Sequence, residues 1–528
     1  MKKIDNIKNA IYYLPILIIS LISLYFGLEY STYHTDLIHF SVIFEQANSF
    51  ISGQKLYKEI ILQYGEGQPI IFYLINNFYK IDNYSIGAIT SVIYSIRFFL
   101  VYKLSLYIIE CRKTSLLCTF LIFISMTYTQ VPWPDFYSGL SLILFFTILF
   151  FNYKKQDTSF IILASLFLFL TIFLRNTYIL NFIISSIAYF LYEIIFFKNK
   201  SKYIHKIIYV TLIFIILYLF YLYLNDNLYL WFSHGIGISD SFLNSENKSI
   251  IERLNNYFYY IARIVFHLIS PFYKIFNDNG VIISSNLFFS ICFIINCIFL
   301  LFGKKLLKDN ISNEKFLLIS FISIYGLSGI IQTVSSYEVF RYMNACISTY
   351  IIAFYFIKNI KILTEKKFYL YVFTLSGIFI IHMISYMPTA SHTFSIGMPN
   401  IIEKKQYNTA NFKIFGKKKL TQDFLEYHET VKSMTCGKKH IFNLGYDRNL
   451  GLLCDDNRKD YYYSVIHENK KLLLDLKNGL NQKDRIIISH KKLAGFNLIS
   501  KIKLPKYYRY TYSDTYMRFL SNMIYFYE

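Results

Sequence analysis

The sequence is short of charged side chains. Asp, Glu, Lys and Arg make up 16% of its 528 residues, and hydrophobic residues make up 55%. Soluble globular proteins usually carry about 25% charged residues, so this composition argues against a wholly water-soluble fold. The chain also lacks internal repeats and low-complexity linkers, which leaves hydrophobic patterning as the main guide to its organisation.

Cysteine and tryptophan are also scarce. The seven cysteines show no Cys–His spacing that predicts a zinc site. Five lie in or near apolar runs, whereas Cys436 and Cys454 lie in a polar C-terminal part; these two can pair if that part is outside the cytoplasm, and the sequence leaves the disulfide open. The 2 tryptophans contrast with 50 tyrosines and 52 phenylalanines. Tyrosine favours membrane–water interfaces. An AT-rich genome also gives many tyrosines and phenylalanines, so their abundance alone does not predict an aromatic binding site.

The net charge is strongly positive, at +21. In a soluble chain this would raise nucleic acid as a partner. Here the basic residues lie mostly in short loops between apolar runs, where they report orientation in a membrane. No nucleic-acid partner is therefore predicted, and the expected surrounding is membrane lipid.

A transmembrane helix needs about 20 mostly apolar residues. Runs of roughly this kind cover residues 11–29, 86–109, 115–131, 137–151, 158–174, 177–197, 207–224, 281–302, 316–334, 342–357 and 368–386. They predict an α-helical polytopic membrane protein with about eleven transmembrane helices. The basic N-terminus through Lys8 has no small-residue cleavage site after the first run, so we expect an uncleaved first helix.

Basic residues recur in every second loop, and this orients the chain. They are Lys2, Lys3, Lys8, Arg112, Lys113, Lys154, Lys155, Lys198, Lys200, Lys202, Lys206, Lys304, Lys305, Lys308, Lys315, Lys358, Lys361, Lys366 and Lys367. Because cytoplasmic loops are enriched in Lys and Arg, the N-terminus is predicted to be cytoplasmic. With eleven spans the C-terminus lies outside, in the periplasm or at the outer face of a bacterial plasma membrane.

Two long segments, residues 30–85 and 225–280, are predicted on the outer side. Each has apolar residues at helical spacing, namely Phe40, Ile43, Phe44, Ala47 and Ile51 in the first and Leu254, Phe258, Ile261, Val265 and Leu268 in the second. Such amphipathic helices lie in the membrane interface or pack on the bundle, and both can hold at once.

Polarity rises after Met387. We therefore expect a transmembrane domain over residues 1–387 and a C-terminal extracytoplasmic domain over residues 388–528. A helix over 421–434, strands over 440–444 and 485–489, and a helical stretch near 468–479 predict a small α/β domain. Its residues do not show whether it selects acceptors or shields a site.

The most informative residues lie in the first outer loop. Asp36 and His39 follow the first helix, and then come Gly53-x-x-x-Tyr57 and Tyr64-Gly65-Glu66. With these features the chain resembles the GT-C-type membrane glycosyltransferases, a group that includes protein mannosyltransferases and aminoarabinose transferase-like bacterial enzymes. Such enzymes place a catalytic Asp or Glu just beyond the first helix, and many follow it with a Gly-x-x-x-Tyr element and a Tyr-Gly-Pro-like turn. Glu66 stands where proline is more usual, and Pro69 follows three residues later.

The resemblance implies transfer of a sugar from a polyprenyl-phosphate donor to a lipid, polysaccharide or protein acceptor. Such a donor has a good leaving group, so the reaction needs a base for the acceptor and positive charge for the departing phosphate. Asp36 is the predicted base, and His39 is predicted to orient it or to assist a metal. The competing interpretations are a charge at a helix N-terminus for Asp36, with Thr35 as its cap, and an interfacial polar residue for His39. No metal ligands are assigned, and a divalent cation is left open.

Two arginines near the outer ends of apolar runs are predicted to bind the donor phosphate. Arg175 lies between two runs, where an ionisable residue is costly unless it is paired or functional; the alternative is an interfacial arginine that reaches water at a tight turn. Arg341 is similar, and an ion pair with Glu338 is its competing explanation. Further candidates are Tyr57, Tyr64, Glu66 and Asp135, the last of which also fits as the cap of the next helix.

Two other functions fit this layout. An O-antigen polymerase or ligase also has many spans and a large outer loop, but it needs neither the first-loop Asp nor a terminal soluble domain. A transporter or flippase is expected to show paired halves, broken helices and charges near the bilayer midplane. The sequence shows no repeat, and its notable charges lie at the outer ends of spans, which favours surface chemistry.

Overall fold

A computed structural model gives the fold of the protein. It describes residues 2–31, 39–58, 60, 62, 64–81, 83–125, 133–197, 201–232, 262, 280–307, 311–333, 339–360, 367, 369–370, 374, 376–377, 406–408, 413–415, 422–438, 440–444, 461–463, 485–490, 492–503 and 523–528.

Helices make up most of the described chain. They are α1 (Lys2–Ser31), α2 (His39–Ile51), α3 (Gly67–Asn76), α4 (Asn83–Ile109), α5 (Arg112–Ser125), α6 (Pro134–Asn152), α7 (Thr158–Leu174), α8 (Tyr178–Phe196), α9 (Lys202–Leu224), α10 (Leu228–Leu230), α11 (Gly280–Leu307), α12 (Asn313–Ser328), α13 (Val339–Ala345), α14 (Ile347–Asn359) and α15 (Gln422–Thr435), with a 3₁₀ turn at Gly329–Thr333. Polar caps mark the starts of α7, α9 and α12. The side chains of Asp157, Ser201 and Ser312 each accept a hydrogen bond from a backbone N–H of the first turn, which satisfies a donor that the helix itself leaves unpaired.

Six helical segments in the described part of the chain are long and apolar enough to cross a membrane. They are Ser85–Ile109, Pro134–Asn152, Tyr178–Phe196, Lys202–Leu224, Leu287–Leu307 and Asn313–Gln332. On α9 the side chains of Ile213, Ile216 and Leu217 are 55%, 61% and 59% exposed. A helix that turns large aliphatic side chains outward in this way is expected to contact lipid.

The prediction of eleven spans is supported at these six positions. Runs 11–29 and 158–174 contain shorter apolar helices, Tyr12–Tyr25 and Thr158–Leu174, and run 115–131 overlaps α5, which has 14 residues. Run 342–357 does not form one helix, because the chain breaks at Cys346 between α13 and α14. Most of run 368–386 lies outside the described residues, so the total of eleven remains a prediction.

The amphipathic part of the first outer segment forms α2. Its residues Ile43 and Ala47 are buried, and the helix packs against α3 and α4, so α2 packs on the bundle. The amphipathic stretch predicted in the second outer segment lies almost wholly outside the described residues.

The interior of the bundle combines apolar packing with polar links between helices. α6 packs against α7 and α4, α1 packs against α4, and α8 packs against α12. Asn296 of α11 donates to the Thr349 carbonyl at 2.7 Å, and the Ser323 hydroxyl of α12 donates to Asn296 Oδ1 at 2.6 Å. Such hydrogen bonds stabilise helix–helix contacts in an apolar surrounding.

The described C-terminal residues combine α15 with strands β1 (Gln406–Asn408), β2 (Lys413–Phe415), β3 (His440–Asn443), β4 (Tyr461–Tyr463), β5 (Arg485–Ser489), β6 (Leu498–Lys503) and β7 (Met523–Tyr527). β1 and β2 form an antiparallel pair, and the others form a sheet in the order β4-β3-β5-β7-β6. β3 is parallel to β4 and β5, whereas β7 is antiparallel to β5 and β6.

The helix predicted over 421–434 corresponds to α15, and the strands predicted over 440–444 and 485–489 correspond to β3 and β5. The helical stretch predicted near 468–479 lies outside the described residues. Cys436 is disulfide-bonded, while the other described cysteines are free thiols. Cys454, with which the sequence allows Cys436 to pair, lies outside the described residues.

Candidate functional site

The turn at residues 64–67 of the first outer loop lies directly on the turn between α7 and α8. The Asn176 backbone N–H donates to the Tyr64 carbonyl at 2.8 Å. Gly65 has a φ of +129°, and a Cβ there would lie 2.6 Å from Asn176 Oδ1; a Cβ on Gly67 would lie 2.8 Å from the Phe173 carbonyl oxygen. The two glycines therefore permit an approach that a larger residue would block.

Arg175, which follows α7, forms an ion pair with Asp135 in the first turn of α6. The two side chains are 3% and 0% exposed. Arg175 Nε donates to Thr177 Oγ1 at 3.0 Å, and this hydroxyl donates to Gln332 Oε1 at 2.5 Å. Arg175 is thus buried and paired rather than reaching water, and Asp135 pairs with it rather than capping α6, whose N-cap is Trp133.

The Tyr64 ring of the first loop lies against the Arg175 guanidinium, and Trp133 packs against that ring. The Arg175 Cζ lies 5.6 Å from the centroid of the Tyr64 ring, a distance at which a cation is attracted to an aromatic face. The centroid of Tyr64 lies 4.5 Å from that of Trp133, the residue that precedes α6. Residues that the sequence offered as separate candidates therefore share one site.

Glu66 belongs to a second group of polar side chains next to this pair. Its side chain is 2% exposed. The Tyr218 hydroxyl lies near Glu66, and the Tyr57 hydroxyl lies near Glu66, Tyr218 and the Asn176 amide. Burial raises the pKa of Glu66 to about 7, and the nearby Tyr218 hydroxyl opposes that rise. Because Tyr218 lies on α9, the group joins the first loop to the α7–α8 turn and to α9.

The structure places the predicted site residues unequally. Brought together at one end of the helices are Tyr57, Tyr64, Glu66, Asp135 and Arg175. Asp36 lies outside the described residues, and His39 begins α2 with its side chain outside them. Arg341 is half-buried on α13, which packs against the 3₁₀ turn that carries Gln332; Glu338 lies outside the described residues.

Sequence reasoning missed several residues of this site, namely Asn176, Thr177, Tyr218 and Gln332. Asn176 and Thr177 directly follow Arg175, so a polar cluster at this turn was a usable signal. No sequence signal marked Tyr218, because it is one of 50 tyrosines in the chain and lies within an apolar run.

Arg97 is a further charged residue that sequence reasoning missed. It lies near the middle of the span Ser85–Ile109 and is 1% exposed. Its guanidinium hydrogen-bonds Asn344 Oδ1, and Nη2 donates to the Met343 carbonyl at 3.0 Å. These acceptors belong to the last turn of α13, where helix carbonyls carry partial negative charge. Its place at the middle of an apolar run, where an ionisable residue is costly, was the signal that could have found it.

Metal binding has no support in the described part of the chain. No group of three or more His, Cys, Asp or Glu side chains there could hold a metal ion. The His39 side chain, which the sequence associated with a metal, is outside that part, and so is Asp36. A divalent cation therefore stays open, as in the sequence analysis.

The fold and the site define a helical membrane protein with a buried polar site at one end of its helices. No protein-family model matches the chain, and no curated protein matches it in sequence.

Proposed function

We propose that the protein is a membrane glycosyltransferase that moves a sugar from a polyprenyl-phosphate donor to a lipid, polysaccharide or protein acceptor. The observation that carries this proposal is the seating of the first-loop turn against Arg175, with Asp135 holding the arginine. The site thus joins the loop that contains the proposed base to a buried guanidinium, and lipid-facing helices flank it. These are the groups that a lipid-linked sugar phosphate requires.

The basic loops support an outward-facing site. Lys154 and Lys155 lie beyond the far end of α6, and Lys198 and Lys200 lie beyond the far end of α8. Since cytoplasmic loops carry the excess of basic residues, the opposite helix ends, which carry the site, face outward. The disulfide at Cys436 supports an oxidising compartment for the C-terminal residues. A bacterial plasma membrane with the N-terminus in the cytoplasm meets both conditions.

The proposed reaction is a single displacement at the sugar's anomeric carbon. Asp36 removes the proton of an acceptor hydroxyl, and the acceptor oxygen bonds to that carbon while the bond to the phosphate oxygen breaks. The electron pair leaves with the polyprenyl phosphate, whose charge Arg175 stabilises. A guanidinium suits this role because its planar donors match phosphate oxygens, and Asp135 fixes its orientation.

Glycan analysis of a host strain tests the proposal. A deletion strain would be complemented with the wild-type protein, Asp36→Asn, Arg175→Ala or Asp226→Asn, the last as a control for an exposed aspartate beyond α9. We expect the deletion and Asp36→Asn to lack one sugar and to accumulate its polyprenyl-phosphate donor, with normal membrane insertion and normal amounts of protein. Arg175→Ala should weaken donor use, and the amount of folded protein is measured beside it because this change leaves the Asp135 charge buried without its partner. Full activity of Asp36→Asn would show that Asp36 is not the base.

The same analysis separates the alternatives. Complete glycan units that are not polymerised or not transferred would identify an O-antigen polymerase or ligase. Unchanged glycans would contradict the transferase and favour the transporter.

The structure also favours a transporter or flippase as the second candidate. Arg97 places a buried charge near the middle of a span, and the chain breaks at Cys346 directly after the residues that it contacts. Midspan charges and broken helices are features of transporters. Movement of fluorescent polyprenyl-phosphate lipid across reconstituted vesicles, lost in Arg97→Met, would establish this candidate.

A further inference from the structure

Four buried polar side chains from three parts of the chain meet beside the Arg175–Asp135 pair. Tyr57 and Glu66 come from the first outer loop, Asn176 from the α7–α8 turn and Tyr218 from α9; they are 1%, 2%, 0% and 7% exposed. Tyr57 lies close to the other three, and Tyr218 lies close to Glu66. We call this group the Glu66 cluster.

The Glu66 cluster offers more hydrogen-bonding capacity than its members use among themselves. The Tyr57 hydroxyl hydrogen-bonds Tyr218 and the Asn176 amide, and the Tyr218 hydroxyl hydrogen-bonds Glu66. The Asn176 amide has two polar atoms, both buried, and its bond to Tyr57 uses one of them. Buried polar atoms are nearly always paired in folded proteins, because an unpaired one costs about 1–3 kcal/mol. The unused capacity of the Asn176 amide and the Glu66 carboxyl is therefore expected to meet a polar ligand.

The backbone at Tyr57 points the same way. This residue has a φ of +66°, a left-handed conformation that a bulky side chain seldom adopts. Strain of this kind is retained where the surrounding structure imposes it, often at ligand sites. Here the strained residue delivers its hydroxyl to the Glu66 cluster.

The chemistry of the cluster selects an uncharged ligand rich in hydroxyl groups. Glu66 accepts hydrogen bonds, the tyrosine hydroxyls and the Asn176 amide both donate and accept, and no cation accompanies Glu66 among the groups that set its charge. No member of the cluster is a cation that would neutralise a phosphate, whereas sugar hydroxyls match every group. Aromatic rings flank the cluster, since the centroids of Phe173 and Trp231 lie 5.6 Å and 6.1 Å from that of Tyr218.

We propose that the Glu66 cluster is the subsite that recognises the sugar of the lipid-linked donor, while Arg175 engages its phosphate. This inference rests on the proposed transferase and adds the residues that determine which sugar is accepted. The turn at residues 64–67 separates the two roles, because it places Tyr64 against Arg175 and Glu66 in the cluster.

Binding to the full chain in lipid nanodiscs, measured by native mass spectrometry, tests the subsite separately from catalysis. The probes are sugar-free decaprenyl phosphate and decaprenyl phosphate linked to glucose, galactose, mannose or arabinose. We expect at least one sugar-bearing lipid to bind more tightly than the sugar-free lipid. Glu66→Gln, Tyr57→Phe and Tyr218→Phe should each remove about tenfold of that preference, the effect of one lost hydrogen bond, without weakening the sugar-free lipid. Tyr223→Phe, an exposed tyrosine on the same helix, is the matched control.

The outcomes distinguish the two proposals. Equal binding of all lipids, or an unchanged preference in all three cluster variants, overturns the subsite and leaves the transferase to the glycan analysis. A variant that loses sugar-free binding as well is checked by its thermal unfolding midpoint and replaced by another of the three. Failure of every polyprenyl-phosphate lipid to bind overturns both proposals.

Discussion

Arg175 and Asp135 form a buried ion pair that joins the end of α7 to the start of α6. Both charges have left water, so each depends on the other. The pair therefore fixes the turn on which the first outer loop rests, and it explains why a charged residue is tolerated between two apolar runs.

Replacing one member of this pair is expected to destabilise the protein strongly. Asp135→Asn leaves the Arg175 charge buried without its partner, which costs about 3–5 kcal/mol in comparable sites. The double variant Asp135→Asn/Arg175→Gln should recover part of this loss. Thermal unfolding in detergent measures both effects. Asp157→Asn is the control, because it replaces an aspartate at a helix start and keeps the capping side chain; equal losses for Asp157→Asn and Asp135→Asn would contradict the prediction.

Gly65→Ala is expected to displace the first-loop turn from the α7–α8 turn. The added methyl group would lie 2.6 Å from Asn176 Oδ1 and 3.0 Å from the Phe173 carbonyl oxygen, and the positive φ adds strain. We expect a loss of about 2–4 kcal/mol in stability and loss of donor binding. Gly53→Ala separates the two causes, since Gly53 has a φ of +92° but no atom within 4 Å of the added group. A Gly53→Ala protein as impaired as Gly65→Ala would show that close approach is not the reason.

The raised pKa of Glu66 predicts a pH-dependent stability. The pKa is about 7 in the folded protein against an ordinary value of 4.5 for glutamate, so between these pH values the folded state holds a proton that the unfolded state has lost. Stability should therefore fall as pH rises from about 4.5 to about 7 and then level off. The difference is on the order of 3 kcal/mol. Unfolding of wild type and Glu66→Gln between pH 4.5 and 8 measures it, and the two curves should converge at low pH; parallel curves would rule out the shift.

Arg97 is expected to stabilise the break between α13 and α14. Arg97→Met removes the donors to Asn344 Oδ1 and the Met343 carbonyl inside an apolar bundle, which should cost about 2–4 kcal/mol. Adding Asn344→Leu removes the acceptor that has lost its hydrogen bond to Arg97 and should restore part of the stability, because apolar replacement of both partners is tolerated better than loss of one. A double variant less stable than the sum of the two single changes would contradict this account. Thermal unfolding midpoints of the four proteins complete the cycle.

The sequence alone predicted the helical membrane class, because long apolar runs with few charges have no stable place in water. It also pointed to Arg175, since an ionisable residue between apolar runs is costly without a partner or a function. The resemblance of the first outer loop pointed to Tyr57, Tyr64 and Glu66, and a short outer turn pointed to Asp135. The break at Cys346 was not predicted, because Arg97 satisfies the helix end from another part of the chain.

Only the tertiary structure decided which of these residues meet. That Asp135 pairs with Arg175 depends on the packing of α6 against α7, and that Tyr218 belongs with Glu66 depends on how α9 is placed. Such contacts join positions far apart in the chain, where periodicity and local propensity carry no information. Patterning thus determined what surrounds the protein, whereas long-range packing decided which polar groups form its site.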